Sequence, residues 1–415
     1  MRLPRLVVLS FGGTVAATAF ASQPAAVERG LELFTRTWVP HDSRAAEGGD
    51  GLGPMYNASS CAACHAQGGL GGAGGKERNV RLSRAGSTDA FLIDHRFSTL
   101  SARPVPSTGG SKVERNTPAL FGAGLIDNIA DEELHAVAAT QTGEITGRVA
   151  FTTDGKVARF GWKGHSASLA DFVANACANE LGLAVDGRPQ AQPPKGELYD
   201  RLSLMQSAVR QTGSKVDLIA GPKRDMTARD VASLTAFVGS LPAPRQVTEQ
   251  PGHKEGRALF STAQCEACHV QTIGKVDGLY SDLLLHDVGR SLSDEGSGYM
   301  TRGTEKALLA KVDADGMVEE TLSDGSVVRV EATAASQLPP AATEWRTPPL
   351  WGIRDSAPYL HDGRAVTLDD AIRAHGGEAS GAVTAYNNLE IGQQQTLVAF
   401  LESMVAPTVA VATLY

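Results

Sequence analysis

Apolar positions recur with helical spacing over residues 26–38, where Gly30, Leu33 and Phe34 share one face. The same Gly-x-x-Leu-Phe string returns at Gly256, Leu259 and Phe260. Both stretches predict amphipathic helices that set a glycine beside two large apolar side chains. A further helix is predicted from Ser168, capped by Ser166 or Ser168, and another over residues 228–241. Two stretches break the helical period. Val149, Phe151 and Val157 alternate around Asp154-Gly155, and residues 317–330 alternate around Asp324-Gly325. Asp-Gly between such runs predicts a β-hairpin at each place, two separate insertions into helical text. The Pro-rich residues 241–247 are the best linker candidate.

Residues 1–21 begin with Arg2 and Arg5, run apolar from Leu6 and end on Ala19-Phe20-Ala21. That is the pattern of a cleavable secretory signal peptide. No later stretch approaches about 18 consecutive apolar residues, so no membrane span is expected in the mature chain. Without the two leader arginines, 36 Lys and Arg face 46 Asp and Glu, a net charge near −10. This disfavours nucleic acid and anionic lipid as partners and suits a basic redox protein.

Four of the 5 cysteines lie in two pentapeptides, Cys61-Ala-Ala-Cys64-His65 and Cys265-Glu-Ala-Cys268-His269. Cys-x-x-Cys-His is the attachment pattern of a c-type haem. The thiols form thioethers to the vinyl groups, and the adjoining His ligates the iron. A zinc site would need both pairs to converge on one ion, and a redox dithiol has no use for the adjoining His. Two such motifs in an exported chain point to two covalent haem c groups, and so to the bacterial periplasm or the outer surface. Cys177 stands alone and reads as a small buried apolar side chain, with a reactive thiol as the alternative. The glycine-dense residues 67–75 read as a loop beside the first haem. Helix, haem motif, Thr-Pro segment (115–122, then 346–352) and aromatic-Gly turn (160–169, then 359–368) occur twice in the same order. The chain therefore reads as a tandem duplication, with residues 22–243 around the first motif and 244–415 around the second.

These residues, with Ser356-Ala-Pro-Tyr-Leu-His-Asp-Gly363, resemble the bacterial di-haem cytochrome c peroxidase superfamily. Gly51-Leu-Gly-Pro54, Arg159-Phe-Gly-Trp-Lys163, Glu344-Trp-Arg-Thr-Pro-Pro-Leu-Trp-Gly352 and His375-Gly-Gly-Glu-Ala379 are similar to its di-haem oxidoreductase branch. The likeness spans most of residues 26–402. It implies a mainly α fold of two tandem cytochrome c-like haem domains, here carrying two small β-hairpin insertions. It also implies one haem that handles peroxide, a six-coordinate haem that passes electrons in, a Trp between them and a distal carboxylate.

On that resemblance His65 and His269 are the proximal ligands, Glu180 matches the carboxylate and Trp162 the bridging indole. His375 falls where relatives carry the sixth ligand of haem 2, with His286, His361 and Met300 as rivals. Relatives often have a labile His in the stretch matching residues 104–110, but none stands there. Haem 1 is therefore expected to be five-coordinate, with His95 and Met55 as the remaining candidates for a sixth ligand. Asn116 matches a position at the superfamily's calcium site, which keeps calcium as a candidate ion. The implied function is peroxide reduction at haem 1 with electrons delivered through haem 2. Oxidation of a side chain on a protein partner is one alternative, and a carrier with both irons six-coordinate is the other. The expected partner is a small redox protein or a protein substrate.

Overall fold

The computed structural model describes residues 24–84, 91–93, 95–98, 112–152, 154–188, 190, 224–294, 317–321, 327–331 and 340–407. The leader, residues 104–110 and Met300 lie outside them. The chain is helix-rich with small antiparallel strand pairs.

The recurring glycine string encodes a close helix crossing. Helix Pro24–Thr35 packs on helix Ala228–Ser240, and a Cβ on Gly30 would overlap the Ser233 carbonyl oxygen and Phe237. Leu33 and Phe34 are buried beside that crossing. In the second half, helix His253–Thr262 packs on helix Ile391–Glu402, and Gly256 meets the Thr396 carbonyl and Phe400 in the same way. Gly256→Ala is therefore expected to lower the urea midpoint by an amount worth about 1–3 kcal/mol, because overpacking outweighs the better helix propensity. An unchanged midpoint would show that the two backbones do not meet there.

The other repeats also share geometry. The His65 amide donates to the Cys61 carbonyl at 3.0 Å, as His269 does to Cys265 at 3.0 Å. Phe160 bridges Ser166, and Tyr359 bridges Ala365. Each of these turns leads into a capped helix. Ser168 accepts from the Asp171 amide ahead of Leu169–Glu180, and Thr367 accepts from the Asp370 amide ahead of Leu368–Ala374.

Both hairpins form, Ala150–Phe151 with Val157–Ala158 and Met317–Thr321 with Val327–Glu331. Further strands carry no clear alternation in the sequence. Val80–Arg84 lies between Phe91–Ile93 and Lys112–Arg115, and Leu285–Asp287 pairs with Glu344–Arg346. Within the expected linker, Arg245–Gln246 pairs with Met404–Val405. The Gln246 side chain donates to Ser403 Oγ at 3.1 Å and accepts from the Tyr280 hydroxyl at 3.2 Å, so this stretch is built into the fold.

The buried side chains form a large first core, which includes Cys177, and a smaller second core around Phe260, Tyr280 and Phe400. Ile273, Val276, Leu279, Leu283 and Leu284, from the loop after the second motif, pack into the first core. Among the described residues no helix is long and apolar enough to cross a membrane.

Candidate functional site

Each pentapeptide lines its own cavity. Cys61, Cys64 and His65 lie on the wall of one, with Trp162, His165 and Glu180. Cys265, Cys268 and His269 lie on the wall of a second, with Trp345, Arg346 and His375.

The imidazoles of His65, His269 and His375 share one hydrogen-bonding pattern. His65 Nδ1 lies 3.1 Å from the Gly72 carbonyl, His269 Nδ1 2.9 Å from that of Tyr280, and His375 Nδ1 2.7 Å from that of Ala371. A carbonyl only accepts, so each Nδ1 carries the proton and Nε2 keeps its lone pair, as a metal-bound His requires. Burial pushes His65 and His269 down to about 4 and lowers His375, so all three are neutral at pH 7. None of the cysteines is in a disulfide, and burial pushes the Cys61 and Cys265 thiols up to about 12. Two thiols and a tautomer-fixed imidazole on the wall of each cavity fit a haem. The glycine loop serves the first site. The Gly71 amide donates to the His65 carbonyl at 3.0 Å, and a Cβ on Gly72 would overlap the Gln67 carbonyl oxygen.

Among the described residues, Trp162 lines both cavities. Its Nε1 donates to the Asn116 carbonyl at 2.9 Å, and its own carbonyl accepts from the Arg346 amide at 2.9 Å. Lys163 Nζ donates to the carbonyls of Ala341, Ala342 and Glu344 at 2.8, 3.2 and 2.9 Å and lies 4.1 Å from the Trp345 ring centroid. The turn that carries Trp162 is thus stitched to the strand of the other half.

Glu180 is the last residue of its helix, where the helix dipole disfavours a carboxylate. Its backbone carbonyl accepts from the amides of Asn57 and Ala58 at 2.7 and 3.2 Å, and its Oε2 accepts from Asn57 Nδ2 at 2.8 Å. The segment leading into Cys61 therefore holds the carboxylate on the cavity wall.

The profile of the family described as "Di-haem oxidoreductase, putative peroxidase" matches residues 329–404. That segment is similar to the corresponding part of the family. It contains the Glu344–Arg346 strand, His361 and His375, and the family it resembles is one of haem-carrying oxidoreductases. No curated protein sequence matches the chain. Among solved structures it is similar to hydrazine synthase of Kuenenia stuttgartiensis, at 15% identity over 97% of this chain and 100% of that one, with a TM-score of 0.39. A MauG-like protein associated with microbial copper homeostasis is 15% identical over 93% of this chain and 90% of its own, with a TM-score of 0.40. A variant of the dihaem peroxidase BthA from Burkholderia thailandensis is 16% identical over 93% and 88%, with a TM-score of 0.38. At such scores these likenesses carry no weight for fold or function.

The rival histidines are otherwise engaged. His286 lines the second cavity, but its Nε2 lies 2.8 Å from Asp282 Oδ2 and its Nδ1 2.8 Å from Glu378 Oε2. Burial opposes its charge, yet the bonds to Asp282, Cys268 and Glu378 raise its pKa and keep it an imidazolium without a lone pair. Cys268, Asp282 and His286 are grouped closely enough for a metal ion, but Cys268 belongs to the second haem motif. His361 stacks on Trp345 with centroids 3.7 Å apart, and its Nε2 lies 3.3 Å from Asp294. His95 is buried with Nε2 2.8 Å from the Asn179 carbonyl, and neither it nor Met55 lines the first cavity. Asn116 Nδ2 donates to Asn79 Oδ1 at 3.0 Å and to the Gly74 carbonyl at 3.3 Å, so that side chain acts as a hydrogen-bond bridge. Sequence reasoning gave no role to His165 on the wall of the first cavity, or to Arg346 on the wall of the second. His165 lies in the aromatic-Gly turn 160–169 and Arg346 opens the Thr-Pro segment 346–352, but which cavity they would reach depended on how the halves meet.

Proposed function

We propose that the protein is a periplasmic di-haem c-type oxidoreductase that reduces peroxide at haem 1 with electrons delivered through haem 2. The observation that carries this reading is Trp162, lining both cavities, each of which holds a Cys-x-x-Cys-His. Cys61, Cys64 and His65 would hold haem 1. Cys265, Cys268, His269 and His375 would hold haem 2. When bound, haem 1 supplies the iron at which a hydroperoxide O–O bond breaks, two electrons and two protons yielding two waters.

The chain's own residues supply the rest. Glu180 takes the proton from the inner peroxide oxygen and returns it to the outer one, and its seat on Asn57 keeps the carboxylate in reach. Trp162 shortens the path between the haems, and the Asn116 carbonyl on its Nε1 favours loss of an electron from the ring. The donor is a small redox protein, for which a net charge near −10 suits a basic surface. Calcium is not part of the reading.

The test is spectroscopic. A high-spin haem 1 whose spectrum changes on adding peroxide, beside a low-spin bis-His haem 2, is expected. Low-spin signals from both haems in every oxidation state, indifferent to peroxide, would leave only an electron carrier. Turnover with a protein substrate but not with a reduced small cytochrome would instead point to oxidation of a partner's side chain.

A further inference from the structure

The basic side chains around the two cavities are compensated in different ways. Arg115 is paired with Asp294 at 2.7 Å, Arg148 with Glu344 at 2.7 Å, and Lys163 is surrounded by three carbonyls. Arg346 differs from them. Its Nε donates to the Gly161 carbonyl at 2.8 Å and its Nη1 to the Thr347 carbonyl at 3.3 Å. Among the described residues it has no carboxylate partner and Nη2 has no acceptor. Burial pushes its pKa down to about 10, opposed only by the field of Asp282. A guanidinium stays charged in such a place, and a buried charge facing only neutral acceptors is costly unless an anion completes it. The surface it presents belongs to the wall of the second cavity. A flat ligand with carboxylate arms is what that cavity is read to hold, and a planar guanidinium binds a carboxylate through two parallel hydrogen bonds.

We propose that Arg346 anchors a propionate carboxylate of haem 2 and, through its bonds to Gly161 and Trp162, ties that carboxylate to the turn carrying the bridging indole. The assignment rests on the di-haem reading and adds a positioning residue to it. Arg346 then has two duties. It balances one propionate charge, which raises the potential of haem 2 by favouring the less positive iron. It also holds one propionate at a fixed place relative to Trp162, which a Lys cannot do with the same fork.

The experiment starts from the haem content of the wild-type holoprotein, measured as pyridine haemochrome. Fewer than two haems per chain would sink the di-haem reading and the anchor with it. With two haems present, spectroelectrochemistry is run at about pH 9, well above the ordinary carboxylate range. Arg346→Met, which removes the charge at similar length, is expected to lower the electron-uptake constant of haem 2 about tenfold at an effective dielectric near 20, or about 59 mV. Haem 1 should keep its potential, and Arg346→Lys should recover part of the shift. An unchanged haem 2 potential in a two-haem Arg346→Met protein would overturn the anchor. So would a wild-type potential that moves with added chloride or formate, which would assign the guanidinium to a diffusible anion. If Arg346→Met does not assemble, resonance Raman of Arg346→Lys decides. The propionate bending mode of haem 2 should shift, and an unshifted mode would overturn the anchor.

Discussion

Glu180→Gln is expected to slow peroxide turnover about 10²- to 10⁴-fold while leaving both haems attached and their resting spectra unchanged. The substitution preserves shape and lets the side-chain oxygen keep accepting from Asn57 Nδ2, now 2.8 Å from Oε2, so the segment before Cys61 should not move. What it removes is a group that can accept and return a proton. The decrease should appear in steady-state oxidation of a reduced small cytochrome by peroxide, and equally in a single turnover, because the same proton transfer limits both. Wild-type rates in the variant would take Glu180 out of the mechanism and leave it a helix-end carboxylate tethered by Asn57.

His286→Gln is expected to cost about 3–5 kcal/mol of stability, the usual penalty for removing one partner of a buried ionic group. His286 is 3% exposed and lies between two carboxylates, Asp282, which is fully buried, and Glu378, which also accepts from the amides of Thr146 and Asp287. A glutamine leaves those carboxylates facing each other without a cation, and it loosens the tie from Thr146 in the first half to the second. In the wild-type protein, burial works against the charged ring but the bonds to Asp282, Cys268 and Glu378 raise it to about 12. A raised histidine stabilises fully below its unfolded value of 6.5, contributes less as pH rises and nothing above about 12. The deficit of the variant, read from urea unfolding, should be largest below about pH 6.5 and shrink as pH rises, because the charge that stabilises the wild type is then lost. A deficit below about 1 kcal/mol that does not change with pH would mean that the cluster is not ionic.

Much of this was legible in the residues themselves. The Gly-x-x-Leu-Phe strings announced helices, and the structure adds that Gly30 and Gly256 sit where two backbones touch, a reason for glycine that periodicity cannot supply. The alternating runs around Asp154-Gly155 and Asp324-Gly325 became hairpins because their pairing is local. The strand pairs that escaped notice join distant stretches, such as Leu285–Asp287 with Glu344–Arg346 and Arg245–Gln246 with Met404–Val405, where two or three residues are too few to show a period.

The site divides along the same line. Cys-x-x-Cys-His is chemistry written in consecutive residues, so its thiols and imidazoles were set by sequence alone. Which cavity Trp162 borders, what holds Glu180 and whether Arg346 finds a counter-charge are properties of segments far apart in the chain. They were decided only when the two halves packed, because hydrogen-bond partners and desolvation are set by neighbours in space.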